Sequence, residues 1–124
     1  MQPAYTAIDP RELLAASDGD LALFCSLSQM FLDAAPAAFA RMREAGAQDA
    51  GPPCKAFIAA SHSLRGMTAL VGARSLSAHL ADLEHQARDG TCPASAVLDA
   101  LASLLAIACD EVRRSIDAVP DRDP

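Results

Sequence analysis

The chain has no tryptophan, one tyrosine and four phenylalanines, so aromatics make up only 4% of its 124 residues. A core of that composition is filled with small and aliphatic side chains, which suits close-packed helices. β-Branched runs are scarce, which argues against a sheet. Basic residues are outnumbered, with ten Lys and Arg against sixteen Asp and Glu, a formal charge of −6 and a pI near 4.8. Nucleic acid is thereby excluded as the main partner, because binding its backbone needs a basic patch. Any anion-facing site must be a local basic spot on an acidic molecule. The cysteines, Cys25, Cys54, Cys92 and Cys109, include no C-x-x-C pair. A zinc or dithiol motif is therefore not expected, and buried thiols in a reducing compartment are. The N-terminus has no basic-then-apolar signal pattern, and no apolar run reads as long enough to cross a bilayer, so the expectation is a cytoplasmic protein without a membrane association.

What the chain does have is helical periodicity. Its length suits one domain over residues 1–124, with a core over about 20–118. Asp9-Pro10-Arg11-Glu12 reads as a helix start, with Asp9 as N-cap, Pro10 in the first turn and Glu12 as the reciprocal capping-box partner. That short helix is expected to stop near Ser17-Asp18-Gly19. A second begins near Asp18–Asp20, with Leu21, Phe24, Leu27, Phe31 and Leu32 as its apolar stripe. At Pro36 it either ends and restarts or kinks. Gly46 and Gln48–Pro53 read as a loop. A third helix is predicted over Cys54–Val71 with Phe57, Ala60, Leu64, Met67 and Val71 inward, stopped by Gly72. A fourth runs from Ala73 to Arg88 with Leu76, Leu80, Leu83 and Ala87 inward. A fifth runs from about Pro93–Ser95 to Ala118 with Leu98, Leu101, Leu105, Ala108 and Val112 inward. The tail from Pro120 to Pro124 is expected to fray. The simplest packing is all-α: an up-and-down antiparallel four-helix bundle with a short extra N-terminal helix.

Chemistry concentrates at residues 62–73. His62, Arg65 and Gly66 stand at i, i+3 and i+4, and therefore share one helix face. That face is not the apolar one. With a reference pKa of about 6.5, an exposed imidazole is mostly neutral at pH 7 and keeps one ring nitrogen with a free lone pair. Such a nitrogen can attack a phosphoryl group. Arg65 supplies positive charge and a planar fork for phosphoryl oxygens. Glycine inside an exposed helix costs about 1 kcal/mol against alanine. At Gly66 either close approach of a partner or close helix packing would offset this, and the shared face with His62 favours the partner. Ala59 and Ala69 keep the surrounding surface low. Ile58, on the same face, is either part of a docking patch or covered by the N-terminal helix. Lys55 and Arg74 are further candidates for the local basic spot.

The run His62-Ser63-Leu64-Arg65-Gly66, followed by Gly72-Ala73, Leu76, Leu80 and Leu83-Glu84, resembles the bacterial histidine phosphotransfer (HPt) domains over about residues 20–115. The resemblance implies that His62 is the phosphoryl acceptor and donor, Arg65 the phosphate partner and Gly66 the access glycine. It further implies that Glu84 orients the imidazole by accepting from Nδ1, leaving Nε2 as the nucleophile. Arg65 stands where the family usually has lysine, and Ala69 where many members have glycine. His79 and His85 match no family role, and six positions apart they do not line up on a helix, so no metal site is expected.

These readings imply a phosphocarrier rather than an enzyme, relaying a phosphoryl group between aspartates of response-regulator receiver domains in a two-component phosphorelay. A hybrid sensor kinase is a further partner in that picture. No cofactor of its own is expected, and Mg²⁺ would sit on the receiver. Family members are commonly monomers, and a monomer is expected here. The rival reading is a non-catalytic helical interaction module that binds a receiver or kinase as inhibitor or scaffold.

Overall fold

A computed structural model describes residues 5–48, 54–91 and 93–119. Among the described residues are five helices and no strand: α1 (Pro10–Ala16), α2 (Leu21–Gln48), α3 (Lys55–Leu70), α4 (Arg74–Arg88) and α5 (Ser95–Asp117). The all-helical class is as expected. Each long helix contacts the next, α5 returns to α2, and α1 lies against α2 and α3. Cys92, residues 49–53 of the expected loop and the tail from Pro120 lie outside the described residues.

The start of α1 follows its sequence signal only in part. Asp9 is the N-cap, its side chain accepts from the Arg11 amide, and Pro10 opens the helix. The reciprocal half of the capping box does not form. Instead the Asp9 amide donates to the Val71 carbonyl at 3.2 Å, and Glu12 accepts from Arg74 Nε at 2.9 Å. The cause is the turn between α3 and α4, which brings Val71 and Gly72 against residue 9. Gly72 has φ +71°, and a Cβ there would stand 2.7 Å from the Asp9 carbonyl oxygen. Glycine is thus required twice at this point, for the left-handed backbone and for the contact.

The segment before α1 is held by a residue to which the sequence analysis gave no role. Glu111, on α5, is buried. Its carboxylate accepts from the Thr6 amide (3.0 Å), the Thr6 hydroxyl (2.8 Å), the Ala7 amide (2.9 Å) and the Ile8 amide (3.2 Å). Burial pushes the Glu111 carboxyl up, but the donors of Ala7, Thr6 and Ile8 together outweigh it and hold the group below its ordinary value.

α2 is one 28-residue helix: of the two alternatives at Pro36 the single helix holds, and the helix also runs through the loop expected at Gly46. Pro36 is exposed, while Ala35, Ala38 and Phe39 are buried, so packing on the inner face offsets the missing backbone hydrogen bond. Gly46 is helical rather than looped. A Cβ there would lie 3.2 Å from the Phe57 ring, so its small size lets α2 and α3 approach. Leu21, expected in the stripe, is 42% exposed, whereas Phe24 and Phe31 are buried. By length and composition, Leu21–Ala47 also meets the criterion for a membrane span, contrary to the expectation that no run would. In this fold α2 packs against α3 and α5.

The inward positions of α4 and α5 are those predicted, with Leu76, Leu80, Leu83 and Ala87 facing Leu98, Leu101, Leu105 and Val112 across the core. Cys54 and Cys109 are buried and Cys25 is half-buried, none of them in a disulfide. Burial raises the Cys109 thiol pKa, which keeps it a poor nucleophile.

Candidate functional site

The middle of α3 places its residues by a simple division of faces. Phe57, Ser61, Leu64 and Thr68 are buried, while His62, Gly66 and Ala69 are exposed. Leu64 and its apolar neighbours fix the helix against the core, which leaves His62 outward with 65% of its side chain exposed. Among the described residues, no atom outside its own helix turn lies within 4 Å of the point a Gly66 Cβ would occupy. Helix packing is therefore not what the glycine serves, and the helix backbone is open to approach at that turn. Ala59 and Lys55 are exposed, and Ile58 is half-buried and packed on the core. Arg74 is engaged by Glu12 and does not belong to this group.

The tight Gly72-Ala73 turn sends α4 back along α3. A half-buried hydroxyl pair joins the two helices: Thr68 Oγ1 donates to the Arg65 carbonyl at 3.0 Å and so accepts from Ser77 Oγ at 2.7 Å. Two turns further along α4, Glu84 reaches the His62 ring from below. Its side chain is only 5% exposed. Oε2 is paired with Arg88 Nη2 at 2.7 Å, while Oε1 lies 3.4 Å from His62 Nδ1 and 3.5 Å from Arg65 Nη2. Glu84 thus turns one oxygen toward His62 and Arg65 and the other toward Arg88.

One expectation is corrected by the geometry. Glu84 does not accept a hydrogen bond from Nδ1. Arg65 Nη2 stands closer, 3.0 Å from Nδ1, and Glu84 Oε1 is left buried without a hydrogen-bond partner. The guanidinium fork, long enough to reach across one helical turn, occupies the ring nitrogen first. Arg88 is the site residue that the sequence analysis missed as such; its i, i+4 spacing from Glu84 was the available signal.

Electrostatically the site is a small cationic spot. Arg65 and Arg88 carry two positive charges around one buried carboxylate, on a chain of net charge −6. A carboxylate buried between two arginines is stabilised by charge-assisted hydrogen bonding. An exposed imidazole above it can carry a transferable group on its outer side. His85 lies elsewhere, 3.7 Å from Asp89. Among the described residues no group of three or more His, Cys, Asp or Glu is arranged to hold a metal ion.

The Hpt domain family matches residues 26–119, about three-quarters of the chain, beginning inside α2 and ending beyond α5. No curated protein and no solved structure matches. With His62 on its helix face and the match running from within α2 through the end of α5, the chain belongs to the Hpt domain family, the histidine phosphotransfer modules of two-component signalling.

Proposed function

We propose that this protein relays a phosphoryl group between aspartates of response-regulator receiver domains through His62. The observation that carries this reading is the exposed His62 ring beside open space at Gly66, with Arg65 at one edge and the buried Glu84 carboxylate behind it. A docked receiver presents its aspartyl phosphate to the ring, and Nε2 attacks phosphorus in line as the bond to the aspartate oxygen breaks. Arg65 draws the phosphoryl oxygens. Glu84 faces the positive charge that the substituted ring acquires. The reverse attack, by a second receiver's aspartate, empties the site. Mg²⁺ belongs to the receiver in this scheme, and the protein needs no nucleotide, metal or cofactor of its own. It is a carrier and not an enzyme.

We take Ile58, Ala59 and Ala69 as the low rim on which the receiver sits, and α2–α5 as the up-and-down antiparallel bundle that holds it, with α1 as the extra helix. The contacts that run from α2 through α5 and back to α2 support that arrangement. One domain over 1–124, acting as a monomer in the cytoplasm, is the corresponding picture. A hybrid sensor kinase would bring its own receiver to the same face.

Phosphorylated receivers mixed with the protein and Mg²⁺ should yield acid-labile, alkali-stable phosphate on the wild type and none on His62→Gln. Receiver binding without any label on the wild type would instead support the non-catalytic interaction module.

A further inference from the structure

One nitrogen of His62 faces two groups that make opposite demands on it. Arg65 Nη2, 3.0 Å from Nδ1, can only donate. Glu84 Oε1, 3.4 Å from the same atom, can only accept. Nδ1 can bond to Arg65 as a lone pair, or to Glu84 as an N–H. In the structure Arg65 holds it, and the Glu84 oxygen, buried, has no hydrogen-bond partner. A neutral ring that accepts at Nδ1 carries its proton on Nε2. Protonated there, Nε2 has no lone pair with which to attack phosphorus.

We propose that Arg65 is a tautomer latch as well as a phosphate partner. At rest it holds His62 in the unreactive Nε2–H form. When a phosphoryl group arrives, the guanidinium moves to its oxygens, because a dianion is a far stronger partner than a neutral imine nitrogen. Nδ1 is then released to Glu84 Oε1. The ring exchanges protons with water: one leaves Nε2 and another is taken up at Nδ1, with no net change in protonation. The Nδ1–H bonds the waiting carboxylate, and the Nε2 lone pair faces phosphorus. Arg88 is the positioning residue of this device. By fixing Oε2 at 2.7 Å it keeps Oε1 aimed at the ring. The latch gives a reason for an oxygen that pairs with Arg65 Nη2 at 3.5 Å yet accepts no hydrogen bond among the described residues: it is the acceptor of the reactive state, left unbonded in the resting one. The inference rests on the reading of His62 as the phosphoryl acceptor, which makes the position of the ring proton matter.

The test is nitrogen NMR of the unphosphorylated full chain with ¹⁵N-labelled histidine, at a pH where the ring is neutral. The His62 signals are assigned by their loss in His62→Gln. In the wild type Nδ1 should appear in the imine-type range and Nε2 in the pyrrole-type range. Arg65→Met keeps the aliphatic stem and removes the donors; the two nitrogens should then exchange ranges, Nδ1 becoming the protonated one. In Arg65→Met/Glu84→Met the preference for Nδ1–H should disappear. A wild type already in the Nδ1–H form, or an Arg65→Met spectrum identical to wild type, would overturn the latch. Neither result depends on transfer from any receiver, so this inference and the phosphorelay reading fail separately.

Discussion

Replacing Gly66 by alanine should make the protein more stable and a poorer phosphoryl acceptor. An added methyl meets nothing within 4 Å, so no steric term opposes it. Alanine gains about 0.8–1 kcal/mol over glycine inside a helix, part of it by restricting the unfolded chain. For a chain between the small and medium size classes that is a rise in Tm of roughly 3–5 °C. The same methyl stands one turn from His62, on the face that a partner must approach. Alanine should therefore slow transfer modestly, and Gly66→Leu should slow it by about tenfold or more, since each tenfold corresponds to about 1.4 kcal/mol of lost approach energy. Thermal melts and single-turnover transfer from a phosphorylated receiver measure the two effects on the same samples. A destabilised Gly66→Ala would show that the glycine serves packing. Wild-type transfer by Gly66→Leu would refute the idea that a partner comes close to the helix at this turn.

Three further outcomes follow from the geometry. His62→Gln, at an exposed position, should leave the unfolding free energy from urea titration within about 0.5 kcal/mol of wild type while abolishing transfer; a large loss of stability would mean that the ring is a structural part of the fold. Gly72→Ala should destabilise by more than the ~1–2 kcal/mol of a left-handed residue, because its methyl also collides with the Asp9 backbone; a melt unchanged from wild type would refute that contact. Glu111→Gln should destabilise at neutral pH. The folded carboxyl lies below its unfolded value of 4.5, so the stability it adds is present above that value and is lost as pH falls through the folded one. The gap between the two proteins in chemical denaturation should accordingly narrow below about pH 4.5, and a gap constant with pH would contradict the charge-dependent clamp.

The sequence was most legible where one period governs the whole element. The inward leucines of α4 and α5 follow a 3.6-residue repeat and are buried as predicted, and the His62, Arg65 and Gly66 face follows from the same repeat on α3. It was least legible where local signals competed with packing. Pro36 and Gly46 are breakers by propensity, yet Ala35, Ala38 and Phe39 are buried and Gly46 sits against Phe57, so tertiary contact carried the helix through both. Glu12 has capping-box spacing, but Arg74 competes for it across the fold. The clamp made by Glu111 carries no sequence signal, since the groups that donate hydrogen bonds to it lie more than 100 positions away. At the site, the family resemblance put Glu84 beside the ring but did not rank two groups that reach for one atom.

That ranking depends on a difference of 0.4 Å between 3.0 and 3.4 Å at Nδ1, and so on how α4 is set against α3. The setting is made at the Gly72 turn, twelve residues before Glu84, and that turn is not self-contained. Its outer surface is the Asp9 backbone, which donates to Val71 and fills the space where a side chain at Gly72 would stand. Asp9 is held in turn by the amides and hydroxyl of Thr6, Ala7 and Ile8 on Glu111. The family match begins at residue 26, so the Thr6–Asp9 half of this brace lies outside it, while Val71, Gly72 and Glu111 lie within it. A carboxylate that must be close to a ring nitrogen but not yet bonded to it tolerates little drift between its two helices. A turn clamped from outside by a buried charge limits that drift without placing any bulk on the open face around Gly66.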